Sequence, residues 1–95
     1  MRMFLKVLMD VDAANRAIKD GTLPKVVEGF AKAAKPEGMW CTAPEGKRCM
    51  VAVFDLVSTA QIPSLAEPFF EALGAAIELT PAMDAADLKA GLSAV

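Results

Sequence analysis

The chain reads as an α+β sandwich in which one four-stranded antiparallel sheet is covered on a single side by helices. Three observations predict this. The amino-terminal residues alternate side chains with the period of a strand, Met3, Leu5, Val7 and Met9 against Phe4, Lys6 and Leu8. Two later segments repeat apolar residues with the period of a helix. Turn and cap signals then set the order of elements as β-α-β-β-α-β with a short helix at the end.

The first strand spans Arg2 to Met9. Asp10 and Asp12 supply N-cap oxygens for a helix through Ala13, Ala14, Ala17 and Ile18. Gly21 ends or bends that helix, and Thr22 caps a new segment with Pro24 in its first turn. Leu23, Val26, Val27, Phe30, Ala31 and Ala34 then form one apolar stripe. Lys35-Pro36-Glu37-Gly38 breaks the helix.

A hairpin follows, with strands Met39 to Ala43 and Lys47 to Leu56. Reading Pro44-Glu45-Gly46 as a three-residue loop sets Cys41 opposite Cys49 and Trp40 opposite Met50. Ser58 to Gln61 resembles a capping box. The helix it opens carries Ile62, Leu65, Ala66, Phe69, Phe70 and Leu73 on one face, contains Pro68, and stops at Gly74. Ala76 to Thr80 is the fourth strand, and Asp84 caps a terminal helix that Gly91 is expected to close. Right-handed crossovers give a ferredoxin-like sheet of order 4-1-3-2, which sets Lys6 beside Glu78. The chain is a single domain, 1–95.

The two sheet faces differ. In the three-residue register, Met3, Leu5, Val7, Met9, Met39, Cys41, Cys49, Val51, Val53, Ile77 and Leu79 lie on a wholly apolar side, which the helices cover. Phe4, Lys6, Leu8, Trp40, Thr42, Arg48, Met50, Phe54, Glu78 and Thr80 lie on a mixed side. A chain of 95 residues has nothing left to cover that side, so a second copy or a ligand is expected there. Trp40 and Phe54 offer stacking or interface packing, Arg48 an anion contact or a solvated charge, and Lys6 with Glu78 an ion pair or a pair of ligand contacts.

Composition removes several functional classes. A net charge of −2, with Lys89 the only basic residue from Ala72 onward, argues against nucleic acid. The absence of His and Tyr removes common bases and metal and haem ligands. The two cysteines match no zinc spacing, and Asp10-Val11-Asp12 lacks the glycine and distal Glu of a calcium loop. No metal and no cofactor are expected. No segment is apolar for the roughly 18 residues a membrane span needs, and Lys6 and Asp10 interrupt any secretory core. A cytoplasmic location without membrane association is the expectation. The third strand also lacks the aromatic pattern of an RNA-recognition fold.

Stretches such as Ala14-Asn15-Arg16-Ala17-Ile18-Lys19-Asp20-Gly21-Thr22-Leu23-Pro24, Gly46-Lys47-Arg48 and Ala66-Glu67-Pro68-Phe69-Phe70 are similar to those of small bacterial proteins of the dimeric α/β-barrel superfamily. That resemblance covers nearly the whole chain at the level of topology. It implies a homodimer of ferredoxin-like subunits whose open sheet faces enclose a lumen. Relatives include cofactor-independent monooxygenases, muconolactone-isomerase-like enzymes and haem-dependent chlorite dismutases. The haem site depends on a His that this chain lacks. The resemblance therefore implies a dimer that binds a small hydrophobic or aromatic ligand between its sheets. The alternative is a small cofactor-independent enzyme, monooxygenase- or isomerase-like, using Lys6 and Glu78.

Overall fold

The computed structural model describes all 95 residues. Four strands, β1 (Arg2–Leu8), β2 (Gly38–Thr42), β3 (Cys49–Asp55) and β4 (Ala76–Pro81), form one antiparallel sheet of order β2-β3-β1-β4. Read from the opposite edge this is 4-1-3-2, with β1 between β3 and β4. The helices are α1 (Val11–Lys19), α2 (Thr22–Ala34), α3 (Ile62–Leu73) and α4 (Ala85–Ser93). The architecture is α+β and compatible with a ferredoxin-like arrangement.

Local signals explain where the helices begin and end. Asp10 accepts from the Ala13 amide at 2.9 Å and caps α1. At the α1–α2 break the cap differs from expectation. Gly21 takes the N-cap position with φ 81°, and the Thr22 amide donates to Asp20 Oδ1 at 2.9 Å, so Thr22 caps nothing. The Ser58–Gln61 capping box forms around a short 3₁₀ turn ahead of α3. The helix α3 runs through Pro68 to a left-handed Gly74, where a Cβ would approach Asp10 at 3.3 Å. The terminal helix passes through Gly91 and ends at Ser93, two residues beyond the expected stop.

The hairpin register differs from the three-residue reading by one position. Thr42 faces Cys49, Cys41 faces Met50 and Trp40 faces Val51. The turn itself is the cause. Glu45 and Gly46 have φ of 57° and 72°, and the Lys47 amide donates to the Pro44 carbonyl at 3.0 Å. Two consecutive positive-φ residues closed by that bond make a two-residue type I′ turn. A shift of one residue moves every β3 side chain to the other face. Met50, Ala52 and Phe54 therefore point to the helices, while Cys49, Val51 and Val53 point away.

The core lies between the sheet and α1–α3. Met3, Leu5, Val7 and Met9 meet Met50, Ala52, Phe54 and Leu56 beneath Ala14, Ala17, Phe30, Phe69 and Leu73. Phe54 is its centre: 2% exposed, it meets Phe30 edge-on at 5.6 Å between ring centroids and 86° between planes. Phe30 also meets Phe69 at 5.6 Å.

Candidate functional site

The open sheet face is the candidate site. Its rows follow from strand alternation and the pairing register. Arg2, Phe4, Lys6 and Leu8 of β1 are flanked on one side by Asp55, Val53, Val51 and Cys49 of β3. On the other side Phe4, Lys6 and Leu8 are flanked by Thr80, Glu78 and Ala76 of β4. Gly38, Trp40 and Thr42 of β2 complete the surface. Phe4, Leu8, Val51 and Val53 are only half-buried here, because the three packed helices lie on the other side.

Three of the five expected site residues share this face: Lys6, Trp40 and Glu78. Lys6 lies opposite Glu78 on one side and Val51 on the other, at the middle of the surface. No ion pair closes between Lys6 and Glu78 within 4.0 Å, so both charges are free to meet an incoming group. Trp40 is 58% exposed, and its indole lies back over Gly38, where an added Cβ would overlap the ring. Gly38 thus holds the indole flat along β2 and leaves a broad aromatic surface beside Val51.

The other two residues are corrected. Phe54 belongs to the core on the helix side, for the register reason given above. There it reaches the floor of a separate apolar groove of about 380 Å³ between α3 and β4, with Leu5, Ile62, Phe70, Ile77 and Leu79. Arg48 also turns to the helix side, donating from Nη1 to Asn15 Oδ1 of α1 at 2.8 Å. It therefore cannot serve as an anion contact at the open face. The same shift separates the cysteines. Cys41 is exposed on the helix side of the edge strand, and Cys49 is buried on the open side, outside the core cluster.

Sequence reasoning missed Val51, Val53 and Gly38 as members of this surface. A signal was present in the Glu45-Gly46 dipeptide at the hairpin tip, which suits a two-residue turn as well as a longer loop. A second omission is the cluster around Arg2. Its guanidinium donates to Glu37 Oε1 at 2.6 Å and Asp84 Oδ2 at 3.1 Å, and lies 3.9 Å from Asp87. These bonds, first to Glu37 and then to Asp84, raise the Arg2 pKa. The Asp84 carboxyl is held below the usual range, first by the Asp87 amide and then by Arg2.

No group of three or more His, Cys, Asp or Glu side chains is arranged to hold a metal ion. No helix is long and apolar enough to cross a membrane. No protein-family model matches the chain, and no curated protein matches it either.

Proposed function

We propose that the chain works as a homodimer whose open sheet faces come together around a small amphipathic chamber, and that the chamber binds a small hydrophobic or aromatic molecule. The observation that carries this reading is the uncovered surface of Phe4, Leu8, Trp40, Val51 and Val53 with Lys6 and Glu78 at its middle. Exposed apolar surface of this extent marks an interaction site. A two-fold interface must be self-complementary, and a face whose middle carries one cation and one anion, unpaired with each other, satisfies that condition. Trp40 supplies the stacking wall, and the two charges set the orientation of a polar substituent on the ligand.

Sedimentation equilibrium joined to native mass spectrometry tests the reading. A dimer at micromolar concentration, carrying a co-purified small molecule that Trp40→Ala releases, is the expected result. A monomer at that concentration would end the proposal.

The enzyme alternative draws on one observation, the side-by-side placement of Lys6 and Glu78 without an ion pair. It predicts that Lys6→Ala and Glu78→Ala each abolish any turnover found by screening aromatic substrates. Activity that survives both substitutions excludes it.

A further inference from the structure

We infer that α4 is an arm that packs on the second copy of this chain, an inference that rests on the homodimer reading above. Every residue from Met83 to Val95 is exposed. Ala85, Leu88 and Leu92 form one apolar stripe along α4, with Leu88 47% and Leu92 63% exposed. A helix of nine residues is too short to be stable alone in water. Its capping box, Asp84 with Asp87, fixes only the first turn. The stripe therefore needs a surface to lie on, and the chain's own body does not supply it.

The Arg2 anchor decides which surface is within reach. By strand alternation Arg2 lies on the open face, with Phe4 and Lys6. Its bond to Asp84 Oδ2 holds the start of α4 at the end of that face. The chain's own apolar groove between α3 and β4 lies on the opposite side of the sheet, away from this anchor. The molecule is elongated, 50 × 28 × 17 Å with a radius of gyration of 14.8 Å against the roughly 12 Å of a compact chain this long, as a terminal helix not packed into the body would make it. A partner lying over the open face therefore comes within reach of the start of α4.

Area favours a second copy as that occupant. The face of four strands covers about 400 Å² per copy, so two apposed faces bury about 800 Å². That is short of the roughly 1,200 Å² at which stable interfaces begin. One side of a nine-residue helix, about 13 Å long and 10 Å wide, covers about 130 Å² and hides an equal patch beneath it. Two such arms bring the total to about 1,300 Å². The sheet faces alone fall below the threshold, and with the arms the dimer passes it.

Two measurements on the full chain test the arm. Leu88→Asp with Leu92→Asp should weaken dimerisation about tenfold or more in sedimentation equilibrium, because both leucines leave an apolar contact. In the unaltered protein, hydrogen exchange of the α4 amides should slow at concentrations where the dimer forms and quicken on dilution. If the parent chain is a dimer but the double variant dimerises within twofold of it, or α4 exchange does not follow concentration, the arm inference fails while the face-to-face dimer stands. If the parent chain is a monomer at micromolar concentration, both fail.

Discussion

The two faces of the sheet are built from much the same residue types, yet one is packed under helices and the other is left uncovered. On the helix side large side chains interlock: Phe54 against Phe30, Met50 beside Val7, and Leu5 opposite the small Ala52. On the open side Phe4, Leu8, Val51, Val53 and an indole lying along its own strand have no helix above them, and charges stand in the middle. A core needs volumes that fill the space between layers. A recognition surface instead needs area that stays in place without internal partners. Hydrophobicity alone does not separate the two faces; the presence of unpaired charge does.

The largest difference between the faces is expected at Phe54. Phe54→Ala removes the ring that Phe30 packs against and leaves a cavity under α2 and α3, and a loss of about 3–5 kcal/mol in chemical denaturation is expected. A loss below about 1 kcal/mol would mean that Phe54 is not core. Val51→Glu probes the other face. The new carboxylate stands opposite Lys6, where a cross-strand pair is tolerated, so monomer stability should change by less than about 1 kcal/mol. Dimerisation should weaken by about two orders of magnitude, because a charge is placed at the middle of the apposed surfaces. Equal stability loss at both positions would erase the distinction between the faces.

How far the sequence reveals this division depends on the strand. In β1 polar Lys6 and apolar neighbours alternate, and both faces are readable. In β4 Glu78 does the same between Ile77 and Leu79. The β3 run Cys49-Met50-Val51-Ala52-Val53-Phe54 is apolar throughout, so periodicity carries no information about which side faces in. Its register passes entirely to the turn, where Pro44-Glu45-Gly46 suits a three-residue loop as readily as a two-residue one. The order of elements and most helix ends follow from local rules, and the Lys6–Glu78 placement from crossover handedness. The assignments of Phe54, Arg48 and the two cysteines depended on that one turn.

Glu45→Asn tests the turn directly. Glu45 sits at φ 57°, a conformation in which Asn is tolerated better than a longer side chain, and Asn-Gly is the favoured type I′ pair. A gain of about 0.5 kcal/mol in unfolding free energy is expected, with no change in dimerisation. A loss of stability would argue for a different turn, and with it the three-residue register that returns Phe54 to the open face.

The smallest effect concerns how the open face holds its arm, and the helix side has no counterpart to it. Asp84 is half-exposed and touches only Arg2 and the first turn of α4, so its contribution is local to the start of that helix. Its carboxyl is stabilised in the charged form, first by the Asp87 amide and then by Arg2, so its folded pKa lies below the unfolded one. A depressed pKa gives stabilisation that is complete above the unfolded value, near 4, and is lost as pH falls through the folded value. Chemical shifts of the α4 amides should therefore stay constant from neutral pH down to about 4 and move below it. Asp84→Asn keeps part of the cap but removes the charge, so the same titration should flatten. If the Asp84→Asn protein shows an unchanged acid transition, Asp84 does not anchor the arm. The weakness of this anchor suits the arm's proposed role, since a helix locked firmly to its own sheet could not adjust to the partner across the open face.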